Sequence, residues 1–179
     1  MTDTRTADEL PLGELLREDL ATHDGAFASP GFQALAVHRL QVWAQTRGPL
    51  LRAATKWLNI LLIRNVYGVE LHPTTKIGRR VRIGHHQSVV IGFGVTIGDD
   101  CIIRQGLTLG LATDDSPAEH QPVVGDRVQF GANATVVGRV RIGDDARIGP
   151  CSVITRNVPA GATTFAQPAR VITPQPTGS

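Results

Sequence analysis

Two rhythms of apolar residues divide the chain. From residue 11 to 67 they recur every three to four positions, the spacing of amphipathic helices. PLGELLREDL predicts a short helix. GFQALAVHRLQVWAQ predicts a longer one, with Phe32, Leu35, Val37, Leu40, Val42 and Trp43 on its apolar stripe. Gly48-Pro49 breaks the run, and a third helix is predicted through LLRAATKWLNILLIRNVYG with Gly68 as its stop. Residues 1–69 are therefore expected to form a small helical cap.

From Leu71 the period becomes six. Leu71, Ile77 and Ile83 open the series, Ile91, Ile97, Ile103 and Leu109 continue it, and Val124, Phe130, Val136, Ile142, Ile148 and Ile154 complete it. Four places after most of these stands a second small or aliphatic residue: Val81, Val95, Cys101, Leu107, Val128, Ala134, Val140, Ala146 or Ser152. Neither a helix nor a hairpin repeats every six residues; a parallel β-helix of hexapeptide repeats does. Each hexad is one short strand plus a corner, three hexads make a triangular coil, and the first and fifth positions point inward. The expected fold is mainly β, a left-handed parallel β-helix of four to five coils over residues 70–172, with a disordered tail at 173–179. Two irregularities interrupt it. Eight positions separate Ile83 from Ile91, and the surplus falls beside His85 and His86. Between Leu109 and Val124 runs a polar excursion, LATDDSPAEHQP, that carries His120. Insertions at solenoid corners commonly build the binding face.

Composition narrows the function. At 41% hydrophobic and 19% charged residues, the chain can bury a core. A net charge of +2 and 4% aromatics do not describe a nucleic-acid surface. Cys101 and Cys151 make neither a disulfide framework nor a zinc site, so a cytoplasmic protein is expected. The longest apolar stretch, Trp57–Ile63, falls far short of the roughly 20 residues of a membrane span, so no integral membrane segment is expected.

The ordered motifs GFQALAVHRL, YGVELHPTTKIGRRVRIGHH, VVIG, TIGDD, TLG, GANATVVG and PARVI resemble the serine acetyltransferase family, over about residues 31–172. That resemblance implies a homotrimer, or a dimer of trimers, with acetyl-CoA as co-substrate in the groove between neighbouring subunits and no metal. It implies His85 as the base that deprotonates an acceptor hydroxyl, Glu70 as its supporting carboxylate, and His120 as a second active-site histidine; His86 is the competitor of His85. The chemistry is consistent with these residue types. A hydroxyl needs a base at hydrogen-bond distance to attack a thioester, and histidine accepts protons near neutral pH. A carboxylate on the far ring nitrogen fixes the tautomer. For acetyl-CoA the resemblance implies Gly110, Gly131, Ala132, Asn133, Ala134, Arg147, Gly149, Ser152 and Arg170. His23, His38 and His72 are assigned no chemistry.

The acceptor side departs from the family pattern. Gly84 stands where an acidic residue precedes the base, Glu119 where an arginine precedes the loop histidine, and Phe93 where a glutamate follows VVIG. Gly110-Leu111-Ala112-Thr113 replaces Gly-Gly-Thr-Gly. Without partners for an amino acid's two charges, such a site should select another ligand. The expected activity is transfer of acetyl to a serine-like or other small hydroxyl compound; the GRRVRIGHH region also resembles the exopolysaccharide branch, whose acceptors are sugar hydroxyls. A non-catalytic trimeric scaffold and a carbonic-anhydrase-like metal enzyme are the remaining readings of the fold.

Overall fold

A computed structural model describes residues 4–117 and 119–170. After a 3₁₀ turn at Ala7–Glu9 come helices α1 (Leu12–Thr22), α2 (Pro30–Ala44) and α3 (Pro49–Leu58). α3 continues as a π-helical turn, Asn59–Arg64, and Gly68, at φ 65°, closes the segment by donating its N–H to Arg64 O. Fourteen short strands follow among the described residues. They stack as three parallel sheets, β1 (Val69–Leu71), β4 (Val89–Ile91), β7 (Thr108–Gly110), β10 (Thr135–Val137) and β13 (Val153–Ile154) forming the first. The second joins β2 (Lys76–Ile77), β5 (Thr96–Ile97), β8 (Val123–Val124) and β11 (Arg141–Ile142). The third joins β3 (Arg82–Ile83), β6 (Ile102–Ile103), β9 (Gln129–Phe130), β12 (Arg147–Ile148) and β14 (Thr163–Thr164). The chain visits the sheets in rotation, so the architecture is a three-sided parallel solenoid of about five coils.

The six-residue period is realised residue by residue. Every first position from Leu71 to Ile154 is buried, as are Val81, Val95, Cys101, Leu107, Val128, Ala134, Val140, Ala146 and Ser152 at the fifth; only the two irregular hexads, with Gln87 and Thr113 exposed there, depart. Register puts like upon like: Ile77 on Ile97 on Val124 on Ile142, and Ile83 on Ile103. Each such aliphatic side chain contributes about 1.5–3 kcal/mol by leaving water. The expected tail, 173–179, lies outside the described residues. Among those described, no helix is long and apolar enough to cross a membrane.

The open end of the prism explains the helices. β1, β2 and β3 are the edge strands of their sheets, and their outer backbone groups need partners. His38 Nε2–H donates to His72 O (3.2 Å), just beyond β1. Arg39 donates to Ile77 O and Gly78 O at β2. His23 accepts the Ile83 N–H of β3 on Nε2 (3.2 Å) while its Nδ1–H donates to Asp19 O (2.7 Å). Asp19, itself buried, holds Arg39 at 3.1 Å. Gly31 lies so close to β3 that a Cβ there would stand 2.1 Å from Ile83 O. This packing corrects the expected single stripe on α2. The helix is wedged between α1, α3 and the prism, so His38, Arg39 and Gln41 are buried along with Phe32, Leu35 and Val37, whereas Val42 is exposed.

Candidate active site

One edge of the prism, between the third and first sheets, gathers most of the predicted residues. At each coil the chain turns this edge through a positive-φ residue: Ser88 (57°), Gly106 (72°), Asn133 (58°) and Cys151 (57°). The turns are laced together along the axis, Gly106 N to Gln87 O, Asn133 N to Gln105 O and Cys151 N to Ala132 O, each at 2.9 Å. Because Ile83 pairs with Ile103 and Ile91 sits beside Leu109, the first turn must absorb two surplus residues. The lacing is regular again by Gln87, so the surplus is taken up around Gly84, His85 and His86. The bulge throws His85 into solvent, while His86 is half-buried with its ring edge-on to Tyr67 (centroids 5.5 Å apart, 70°). Tyr67 is tied in turn by its hydroxyl to Gln33 Oε1 on α2. Of the two neighbours, His85 is the accessible one.

Gly131, Ala132 and Asn133 lie on the same edge as His85, and Gly149 one coil further. Ala134 and Ser152 belong to the core, with side chains turned into the prism, so only their backbone is open to a ligand. Arg147 and Arg170 are exposed, Arg147 on β12. Gly110 closes β7 at the far side of the first sheet, where a Cβ would meet nothing within 4 Å.

Glu70 and His120 lie elsewhere. Glu70 points outward from β1 and faces Arg64 (3.7 Å); among the described residues no hydrogen bond joins it to His85. His120 ends the excursion between β7 and β8, with its N–H on Pro117 O (2.9 Å). That excursion rises from the edge between the first and second sheets, above Phe93, which packs against His72 with ring centroids 6.1 Å apart. His85 and His120 therefore occupy two different edges of one prism. Next to His120, Gln121 is 6% exposed, and among the described residues neither of its amide atoms has a partner. Two groups escaped the sequence reading, the Tyr67 anchor of His86 and the Arg64 partner of Glu70. Both contacts join the cap to the first coils, and no local pattern announces them.

Burial also sorts the thiols. It pushes Cys101 up to about 12, an inert core residue, and leaves Cys151 exposed. Among the described residues no group of three or more His, Cys, Asp or Glu could hold a metal ion.

Comparison with known proteins bears on the repeats, the fold and the family. Residues 121–156 match the bacterial transferase hexapeptide (six repeats) family, and residues 74–110 match the hexapeptide repeat of succinyl-transferase. The serine acetyltransferase of Helicobacter pylori is 37% identical over 167 residues, 90% of this chain and 94% of its own length. That of Mycobacterium tuberculosis is 43% identical over 148 residues, 82% of this chain. The chain spans only 62% of the latter's length, and 57% of a Synechococcus elongatus serine acetyltransferase that is 41% identical. Soybean serine acetyltransferase superposes with a TM-score of 0.74 at 31% identity, covering 90% of this chain and 69% of its own. With its repeats, its displaced corner and a relative matched over nearly its whole length, the chain belongs to the serine acetyltransferase family.

Proposed function

We infer that the protein is an acyltransferase that moves acetyl from acetyl-CoA directly to an acceptor hydroxyl, with His85 as general base. The observation that carries this reading is the displaced corner, which exposes His85 on the same edge as Gly131, Ala132 and Asn133. Acetyl-CoA lies along that edge, where small residues leave backbone accessible. The His85 imidazole takes the acceptor's proton as the oxygen attacks the thioester carbonyl. The tetrahedral intermediate collapses, the C–S bond breaks, and the departing thiolate of CoA receives the proton from the imidazolium. Glu70 supports the imidazole once released from Arg64. His120 reaches the site from a neighbouring copy in a homotrimer of left-handed prisms, since one chain holds the two histidines on separate edges. Exposed Leu50, Trp57 and Leu61 on the cap suit further pairing of trimers. The protein is read as cytoplasmic.

A sugar hydroxyl is the second reading of the acceptor. It is favoured by Gly84, Phe93 and Glu119, which stand where family members carry the charges that recognise an amino acid. One panel tests both. Serine, homoserine and sugar hydroxyl compounds are mixed with acetyl-CoA, and thiol release is followed. Loss of a positioned general base lowers turnover by roughly 10²–10⁴-fold, which is expected of His85→Ala and not of His86→Ala. Thiol release unchanged in His85→Ala overturns the assignment.

A further inference from the structure

A cavity of about 470 Å³ lies where the cap meets the first coil, bounded by α3, the π-helical turn, α2 and β1. Its polar groups come largely from the helical side. Arg52, Lys56 and Arg64 all line it, and the widened π turn brings Arg64 to the side already occupied by the other two. Like charges four apart on a helix repel, and no acidic residue occurs anywhere from 25 to 69 to offset them. One carboxylate, Glu70, also lines the cleft, 3.7 Å from Arg64. Gln41 of α2 also lines the cleft; it is 5% exposed, and its Oε1 has no hydrogen-bond partner among the described residues. A buried amide left in this state requires a partner. The helix is also oriented against the usual rule. Its Arg52, Thr55 and Lys56, with Asn59 after it, line the cleft, while Leu50, Trp57 and Leu61 are left between 60% and 82% exposed. Charged and amide heads thus stand in a cleft whose walls are otherwise largely apolar, with Ile60, Leu71 and Pro73 among them.

We propose that this cleft is a binding site for a hydroxylated organic anion, such as a sugar phosphate or sugar carboxylate, its anionic group held by Arg52, Lys56 and Arg64 and one of its hydroxyls by the Gln41 amide. Guanidinium groups supply paired donors to phosphate or carboxylate oxygens. The amide, buried among protein atoms, adds the contact that a bare inorganic anion cannot make. The cleft borders the inferred active site through Glu70, which lines it, but anion binding there does not require acetyl transfer.

Calorimetric titration of the whole protein, without acetyl-CoA, tests it with four probes: glucose 1-phosphate, glucuronate, inorganic phosphate and glucose. Both sugar anions bind, inorganic phosphate binds at least fivefold more weakly, and glucose gives no heat. The Arg52→Glu/Lys56→Glu double variant loses at least tenfold in affinity for both sugar anions while its affinity for acetyl-CoA is unchanged. Gln41→Met abolishes the preference for glucose 1-phosphate over phosphate. Absence of heat with both sugar anions, or binding undiminished by the double charge reversal, overturns the proposal. A protein that binds the sugar anions yet releases no thiol from acetyl-CoA keeps this site and loses the activity inferred above.

Discussion

His38 is a histidine held neutral by its surroundings. Burial, and next the Arg39 guanidinium beside it, push its imidazole down to about 3. In the unfolded chain the same ring titrates near its ordinary value of about 6.5. Between these values the unfolded state takes up a proton that the folded state refuses, so stability falls as pH falls through that window. The loss at the acid end is on the order of 5 kcal/mol. Asp19 works in the opposite direction, since burial raises its carboxyl and favours proton uptake by the folded state. Urea midpoints measured at pH 7, 5.5 and 4 should therefore decline in the wild type. They should decline less in His38→Gln, whose amide can still donate to His72 O. Equal slopes in the two proteins would show that another group governs the acid limb.

At the scale of the element, the corner between the second and third sheets is a ladder of aspartates. Asp99 Oδ1 accepts Arg79 N, Asp126 Oδ1 accepts Asp99 N (both 2.8 Å), and Asp144 Oδ1 accepts Asp126 N (3.0 Å). Each carboxylate satisfies a turn amide of the coil before it. Glycine precedes each rung because there is no room for more: a Cβ on Gly98 would stand 2.3 Å from Asp126 Oδ1 and 2.6 Å from Gly125 backbone. Asp126→Ala should cost about 1–3 kcal/mol by orphaning the Asp99 amide, measured by urea denaturation against the wild type. An unchanged midpoint would mean that water replaces the carboxylate. These elements were legible in the sequence because their cause is local; a strand and its corner repeat every six residues, and the position of the slip could be counted. The cap could be read as helical but not as a set of plugs. His23, His38 and Arg39 act on backbone 34–60 residues away, and no spacing encodes that. For the same reason His85 stood out at the slip, whereas the engagement of Glu70 by Arg64 did not.

For the whole molecule, the separation of His85 and His120 onto two edges is the controlling fact. A site that needs both can be completed only where one prism abuts another. Light scattering should accordingly return three times the 19.2 kDa chain mass, or six times if caps pair. Complementation is the sharper measurement. When His85→Ala and His120→Ala chains are co-assembled, some interfaces regain both histidines, and thiol release should exceed that of either parent; no gain on mixing would place the two residues in one subunit's site. The coils also set a scale of length. Stacked strands advance by about 4.8 Å, so the three steps from the His85 corner to the turn at Cys151 span about 14 Å. An extra coil spliced in after β12 would lengthen that edge by one step and leave the corner untouched, which makes the reach of this scaffold adjustable in whole-coil increments.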